Sequence, residues 1–302
     1  MNKRNDFICI GAVHSDYILR LKKDYFKNRT NPINHQETLG GVAYNIAKRL
    51  SFLSQNTKLY SLNCNKVKQK EMKLQKINFK ALNKEHNKSY YTSIIDNNGK
   101  MILGLANMDS YEKLIDYKIF NNYINKKIIL DLNLSSKLIK NIINKYSKKN
   151  YLCVCGTSAH KVYKINKFLK KIDTLILNKQ ESFALTNKKT IKDSMNYLIK
   201  QNNELNIIIT NGKNSVNAFI NRVAYTAFPP PTITKNENGA GDALSAIFNY
   251  FFCYSLDQPL DSLIKSISGG LLQASGYEEN NKKKYLQKID KLSKSIKFKI
   301  HN

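Results

Sequence analysis

Hydrophobic residues recur along this chain in short, nearly continuous runs that are separated by longer stretches with helical spacing. The runs are Phe7 to Val13, Lys58 to Leu62, Lys127 to Leu132, Tyr151 to Cys155, Thr174 to Leu177 and Asn206 to Thr210. Runs of this length without polar alternation are typical of parallel strands that helices cover on both faces. The pattern therefore predicts an α/β protein with a doubly wound, mostly parallel sheet.

Two segments depart from this rhythm. Residues 89–105 form two β-rich arms around Asn97, Asn98 and Gly99, and Asn-Gly is a strong hairpin signal because both positions tolerate positive φ. Residues 31–39 are a further candidate strand. Antiparallel strands inserted into an α/β chain often form a flap at the ligand-binding edge of the sheet. We therefore expect these two segments to form a small β lid.

Length and charge limit the domain organisation and the partners that we expect for this chain. The chain has 302 residues, which suits a single domain over residues 1–302 with the lid inserted. Its net charge of +28 has two interpretations: a surface for nucleic acid, or a general drift toward Lys, Asn and Ile. We favour the second, and expect no nucleic-acid partner, because the lysines are spread over the whole chain without an RNA- or DNA-binding motif.

The cysteines and the lengths of the apolar runs indicate the cellular compartment. The five cysteines are an odd number and lie mostly inside apolar runs, as expected for reduced core thiols. No run approaches the roughly 18 apolar residues that a membrane helix needs. The sequence thus predicts a soluble, cytoplasmic protein without a membrane partner.

A Gly-Ala-Gly-Asp tetrapeptide, Gly239, Ala240, Gly241 and Asp242, stands directly before an apolar stretch with helical spacing. Glycines let the backbone turn tightly, and amides at a helix N-terminus attract anions. A carboxylate at the mouth of such an anion hole suits a general base for a hydroxyl that attacks a phosphoryl group. The alternative is a simple turn with Asp242 as the helix cap.

Glycines and a carboxylate near the N-terminus suggest a polyol site. Gly40 and Gly41 precede a helix that presents Asn45, so backbone amides and an amide side chain could approach hydroxyl groups. Asp16 follows the first predicted strand and could accept two hydrogen bonds from a vicinal diol. An ordinary strand-to-helix turn and a helix cap are the respective alternatives.

Two further elements suggest a nucleotide site. Asn178 and Glu181 are three residues apart on a predicted helix, and this shared face suits a hydrated Mg²⁺; the alternative is a first turn capped by the asparagine. A later strand ends in a glycine turn with Thr210 and Gly212. This turn is no Walker loop, because Asn214 stands where Ser or Thr is required, but it could line a nucleotide.

Together, in this order and spacing, these elements resemble the ribokinase-like (PfkB) family of carbohydrate and nucleoside kinases over nearly the whole chain. The resemblance implies ATP and Mg²⁺ as cofactors and a ribokinase-like fold. It also implies roles for the residues above: substrate binding by Asp16, Gly40, Gly41 and Asn45, Mg²⁺ and phosphate binding by Asn178 and Glu181, nucleotide binding by Thr210 and Gly212, and an anion hole and base at Gly239 to Asp242.

The lid stretch, the later segment IILDLNLS and the helix GGVAYNIA resemble the pseudouridine kinase branch of that family. That resemblance implies transfer of the γ-phosphate of ATP to the 5′-hydroxyl of pseudouridine, with Ser89 to Thr92 facing the base and Asn133 at the sugar pocket. A ribokinase- or fructokinase-type sugar kinase, another nucleoside kinase, and an RNA-associated protein without catalysis are the alternatives.

Two more expectations remain. One comes from departures from the family pattern, and the other comes from the exposed lid strands. Asn236, Glu237 and Asn238 stand where many relatives have an Asp-Thr pair tied to a monovalent cation, so dependence on such a cation is doubtful. A lysine-rich stretch, Asn63 to Lys76, replaces a common Gly-x-Asp-x-x-Gly segment. Exposed lid strands often pair between subunits, which predicts a homodimer through the lid.

Overall fold

The computed structural model describes residues 7–54, 56–113, 121–235, 237–255 and 257–301. Its strands are β1 (Phe7–Ile10), β2 (His14–Leu21), β3 (Ile33–Gly40), β4 (Thr57–Ser61), β5 (Ile77–Ala81), β6 (Tyr90–Ile95), β7 (Met101–Asn107), β8 (Lys127–Asp131), β9 (Tyr151–Cys155), β10 (Thr174–Asn178), β11 (Asn206–Thr210), β12 (Val216–Ile220), β13 (Val223–Phe228) and β14 (Lys297–His301).

The helices are α1 (Val42–Ser54), α2 (Lys66–Leu74), α3 (Asp109–Glu112), α4 (Ser136–Tyr146), α5 (Lys179–Thr186), α6 (Ile191–Gln201), α7 (Ala240–Tyr250), α8 (Pro259–Ala274) and α9 (Lys282–Ser293). A 3-10 helix, Val162–Lys171, precedes β10, and a π-helical turn, Phe251–Ser255, follows α7.

The main sheet has the strand order β14-β13-β12-β11-β10-β9-β8-β1-β4-β5. Strands β11 to β5 in this order are parallel, and β12, β13 and β14 add an antiparallel edge. One apolar cluster packs α1, α7, α8 and α9 against the sheet, and a second contains buried residues of α4, α5 and α6. This confirms the predicted doubly wound fold.

The predicted strands follow from burial on both faces. In β1, for example, Ile8, Cys9 and Ile10 are all 0% exposed, so no position faces water and no polar alternation is needed. β9 and β11 have the bounds that the apolar runs predicted, and the other runs overlap observed strands. Strand order reverses between β1 and β8, which makes their carboxyl ends the topological switch point where ligands of such sheets collect.

The lid is a separate four-stranded sheet in the order β3-β2-β6-β7. Both predicted lid segments are present as strands, and the hairpin turn contains Gly99 at φ +89°. The assignment of Asp16 to the end of the first strand was wrong. The first strand stops at Ile10, and Asp16 lies inside β2 of the lid, opposite Thr38 of β3.

Two further expectations concern the cysteines and the length of apolar helices. All five cysteines are free and buried, as the apolar runs around them predicted. Within the ranges that the structure describes, none of the helices is both long and apolar enough to cross a membrane.

Candidate active site

The switch point is organised by Asp131, the last residue of β8. Its Oδ2 accepts hydrogen bonds from the backbone N–H groups of Ala12, at 2.8 Å, and Ala43, at 3.1 Å. Asp131 is 1% exposed, so these charge-assisted bonds form away from water, where they are strong. A Cβ on Gly11 would stand 2.2 Å from the Asp131 carboxyl carbon, which excludes any larger residue there. Asp131 thus fastens the end of β1 and the start of α1 to β8.

The glycine pair is required by two close approaches. A Cβ on Gly40 would lie 2.1 Å from Oδ2 of Asp16, so the lid carboxylate rests directly over this glycine. Gly41 has φ +115°, and its Cβ would meet the carbonyl oxygen of Ala12 at 2.3 Å. The other oxygen of this carboxylate, Asp16 Oδ1, lies 2.8 Å from His14 Nδ1. The diglycine therefore brings Asp16 of the lid against the start of α1.

Helix α1 in turn presents Asn45 to Asp242. The Asn45 side chain donates a hydrogen bond from Nδ2 to Asp242 Oδ2 at 2.7 Å. Burial raises the pKa of the Asp242 carboxyl to about 6, Asn45 lowers it, and the charges of Asp131 and Asp16 raise it further. Residues 197 positions apart thus form one site, and its carboxylate has a pKa suited to exchange a proton near neutral pH.

The N-terminus of α7 is open. Its N-cap is Gly239, in the left-handed conformation at φ +76°, and this residue has no side chain that could cap the first turn. A Cβ on Gly241 would meet no atom within 4 Å, so free space lies in front of this backbone segment. The arrangement offers backbone N–H groups and the positive end of the helix to an anion beside Asp242.

Asn178 and Glu181 form a capping box at the start of α5. Asn178 Oδ1 accepts from the Glu181 N–H at 2.9 Å, and Glu181 Oε2 accepts from the Asn178 N–H at 2.8 Å. This is the capping alternative, but Glu181 is only 4% exposed and not solvated. Burial raises the pKa of the Glu181 carboxyl to about 7, the Asn178 N–H lowers it, and the negative charge of Asp242 adds to the rise. Glu181 and Asp242 therefore interact across the site.

Thr210 and Gly212 lie beside this capping box. Thr210 is opposite Asn178 on the adjacent strands β11 and β10, at their carboxyl ends. Gly212, at φ +56°, is in the tight turn that Asn211 closes by donating its N–H to the Ser215 carbonyl at 2.9 Å. A Cβ on Gly212 would have no atom within 4 Å, so the turn faces open space.

Asn133 belongs to a polar network that runs away from Asp131. Its Nδ2 donates to Asp131 Oδ2 at 3.2 Å, and its Oδ1 accepts from Lys161 Nζ at 2.7 Å. Burial lowers the pKa of the Lys161 ammonium group, while Asp131 opposes the shift. Lys164, nearby, donates to Glu112 Oε1 at 2.7 Å.

Sequence reasoning missed Asp131 and Lys161. Asp131 carried a usable signal, because it is a carboxylate near the end of the apolar run Lys127 to Leu132, just as Asp16 follows the first run. Lys161 carried none, since it follows β9 among ordinary polar residues. Of the residues that replace the family's cation-linked pair, Asn236 lies outside the described residues, and the Glu237 carbonyl accepts a hydrogen bond from the Ala240 N–H at 3.2 Å.

The model of the pfkB family of carbohydrate kinases matches residues 4–257. The chain belongs to this family. This pfkB kinase is 30% identical over 200 residues to the pseudouridine-metabolizing bifunctional protein of Schizosaccharomyces pombe, which covers 60% of the chain and 26% of that protein. The chain thus spans about a quarter of the length of this curated relative.

Solved structures show the same fold. The carbohydrate kinase from Agrobacterium tumefaciens superposes with a TM-score of 0.76 at 20% identity and covers 98% of this chain and 100% of its own. Ribokinase from Cryptococcus neoformans in complex with ADP has a TM-score of 0.73 at 13% identity, with 96% of this chain and 99% of its own covered. The pfkB kinase therefore has the ribokinase-like fold over almost its whole length.

Proposed function

We propose that this pfkB kinase transfers the γ-phosphoryl group of ATP to the 5′-hydroxyl of pseudouridine, giving pseudouridine 5′-phosphate and ADP. The observation that carries the proposal is the Asn45–Asp242 hydrogen bond of 2.7 Å at a helix N-terminus whose N-cap is a glycine. It unites a base, a group that orients it and an anion site within one opening, and this is the set that phosphoryl transfer to an alcohol needs.

Asp242 acts as the general base. As the acceptor oxygen attacks the γ-phosphorus, the O–H proton passes to Asp242 Oδ1 or Oδ2, the bond from phosphorus to the bridging oxygen breaks, and ADP leaves with that electron pair. Amides at Gly239 to Asp242 stabilise the charge that develops on the transferred group. Asn45 holds the carboxylate in place by its hydrogen bond.

Asp16 and the diglycine bind the acceptor. Asp16 stands over Gly40 on the lid side of the site, and its charge contributes to the pKa of Asp242, so the two carboxylates face the same space. An aspartate accepts two hydrogen bonds from neighbouring ribose hydroxyls without blocking the base. Gly41, Asn45 and Asn133 complete this sugar side.

Glu181 would hold Mg²⁺ through water, with Asn178 behind it and Thr210 and Gly212 toward the nucleotide. The fit is chemical: a buried carboxylate of raised pKa beside a second carboxylate favours a nearby cation, and Mg²⁺ prefers oxygen ligands and retains its waters. No cluster of three His, Cys, Asp or Glu side chains in the described ranges could bind a metal ion directly. When bound, the ion would neutralise phosphate charge.

Pseudouridine as the acceptor is supported by the lid and by the curated relative. Tyr91 of β6 pairs with Asp16 of β2, which supports a role for the stretch Ser89 to Thr92 beside the acceptor. The Schizosaccharomyces pombe relative is named for pseudouridine metabolism. The family's description as carbohydrate kinases favours a sugar such as ribose or fructose as the second candidate.

One assay separates these acceptors. ADP release is measured with pseudouridine, uridine, adenosine, ribose and fructose at equal concentration, with MgATP in excess. We expect pseudouridine to give the highest kcat/KM. A signal for ribose equal to or above that for pseudouridine would contradict the substrate, and turnover of none of them would contradict the kinase assignment.

We further infer that two copies pair through the lid. Within the described chain β7 is an edge strand, and its residues Met101, Ile102, Leu103 and Leu105 are 43–51% exposed. Such an apolar edge favours pairing with a second strand. Light scattering on the purified chain should give the mass of a dimer, and Leu103→Lys should shift it toward a monomer.

A further inference from the structure

Residues 11–13 connect the main sheet to the lid and belong to neither. β1 ends at Ile10 and β2 begins at His14. Ala12 and Val13 are both 0% exposed, so their backbone groups cannot bind water. Buried backbone groups outside a strand need other partners, because leaving one unpaired is costly. The partners of this linker therefore determine how the lid is held.

Ala12 is fastened to the main-sheet side. Its N–H donates to Asp131 of β8, and its carbonyl accepts from the Tyr44 N–H of α1 at 3.3 Å. The close approach of Gly41 to the same carbonyl adds a steric contact. Ala12 is thus fixed to two elements that do not belong to the lid.

The Tyr111 hydroxyl bonds both backbone groups of Val13, the N–H and the carbonyl. Its N–H donates to Tyr111 Oη at 2.7 Å, and Tyr111 Oη donates to the Val13 carbonyl at 2.8 Å. Asn87 Nδ2 donates to the same carbonyl at 2.6 Å and lies 3.1 Å from Tyr111 Oη, while Ser61 Oγ is 2.7 Å from that oxygen. Tyr111 is 0% exposed, so water does not compete with these bonds.

In the part of the chain that the structure describes, four connections join the two sheets, and residues of all four meet at this point. Besides residues 11–13, the passages are Gly41 between β3 and α1, the segment before β6 that contains Asn87, and the exit from β7 into α3, which contains Tyr111. The Ala12–Val13 unit consequently contacts all four of these described connections to the lid.

We propose that the Tyr111 hydroxyl is a positioning group for the acceptor site. By holding Val13 it sets the direction of β2, and with it the place of Asp16, three residues further on, relative to Asp242 on the main-sheet side. The kinetic part of this proposal rests on the proposed function, whereas the structural part does not.

Tyr111→Phe tests the proposal because it keeps the ring and removes only the hydroxyl. We expect KM for the acceptor to rise on the order of tenfold, as for a buried group left without its partner, with KM for ATP unchanged. The matched control is Tyr146→Phe, which removes a buried hydroxyl that donates to the Asn121 carbonyl at 3.0 Å. It should lower the melting temperature and leave both KM values as they are.

Hydrogen exchange supplies a readout that needs no activity. Amides of β2 and β3 should exchange faster in Tyr111→Phe than in Tyr146→Phe, while those of β9 to β11 stay equal. If no acceptor is phosphorylated, the proposed function fails and this comparison still decides the positioning role. Asn87→Ala, which removes the second donor to Val13, should act in the same direction and serves if Tyr111→Phe does not fold. Equal lid exchange in all variants, or a parallel rise of both KM values, would overturn the proposal.

Discussion

Helices α5 and α7 begin on the same side of the molecule, but their N-termini are capped differently. α5 begins with a reciprocal capping box, Asn178 with Glu181, that uses backbone N–H groups internally. α7 begins with Gly239, which has no side chain that could cap the first turn. Both N-termini have the same partial positive charge. At α5 the capping box uses part of this charge internally, whereas at α7 no N-cap side chain does so, which fits the anion site proposed beside Asp242.

The carboxylates in the first turns of the two helices, Glu181 and Asp242, differ in their hydrogen-bond partners. Glu181 accepts a hydrogen bond from the start of its own helix, whereas Asp242 accepts one from Asn45 of another helix. Burial raises the pKa of both, to about 7 for Glu181 and about 6 for Asp242. We therefore expect Glu181 to act on bound nucleotide and Asp242 on the acceptor proton.

Removing the carboxylate of Asp242 should have the largest effect. We expect Asp242→Asn to lower kcat on the order of 10² to 10⁴, because the general base is lost while the amides stay in place. Steady-state kinetics and ATP binding by calorimetry measure the two parts. Turnover near that of the wild type would mean that the open N-terminus works without this base.

The pH dependence of kcat/KM should follow Asp242. Its pKa is raised to about 6, so the carboxyl is deprotonated above that pH and protonated below it. Activity should be constant above the pKa and fall about tenfold per pH unit below it, since only the charged form accepts a proton. The residual activity of Asp242→Asn serves as the control and should lack this acid limb. An identical limb in both proteins would assign it to another group.

Gly239→Ala tests the geometry of the open N-terminus. Alanine at φ +76° is strained by about 1–2 kcal/mol, and relief of that strain would move the amides of the first turn. We expect kcat to fall on the order of tenfold together with the loss of stability. Gly276→Ala, at φ +68° after α8, is the matched control and should cost similar stability with kcat unchanged. Equal kcat in the two variants would remove Gly239 from the anion site.

Asn178→Ala should have the smallest effect. Loss of an N-cap costs about 1 kcal/mol of unfolding free energy. Thr190→Ala, which removes the N-cap of α6, is the control and should cost about the same. If KM for MgATP rises in Asn178→Ala but not in Thr190→Ala, the increase shows that Glu181 is no longer held in position. Identical kinetics in the two variants would leave the capping box with a structural role alone.

The sequence predicted strands well where burial is complete. β9 and β11 coincide with their apolar runs because both faces of each strand are covered, which leaves no ambiguity of period. The same rule misplaced Asp16. Ala12 and Val13 are buried like strand residues, so the apolar run continued past the true end of β1 at Ile10 and hid the start of β2.

The candidate site was predictable only in part. The two helix starts could be located from Gly239 to Asp242 and from Asn178 and Glu181, because glycine turns and capping pairs are local patterns. The pairing of Asn45 with Asp242 spans 197 residues, and that of Ala12 with Asp131 spans 119. Such contacts arise only when the sheet is assembled, so no local pattern indicates which carboxylate binds a backbone amide and which stays free.

The five buried cysteine thiols can report on local opening of the folded chain. Cys9, Cys153 and Cys155 lie in the central strands, Cys64 lies before α2, and Cys253 lies in the turn after α7. Burial raises the pKa of Cys9, Cys64 and Cys253, and the hydrogen bond with Cys153 together with burial raises that of Cys155. A raised pKa slows the reaction of these thiols with alkylating reagents in the folded protein. Alkylation of an unaltered chain, read peptide by peptide in a mass spectrometer, would therefore time the opening of each region separately.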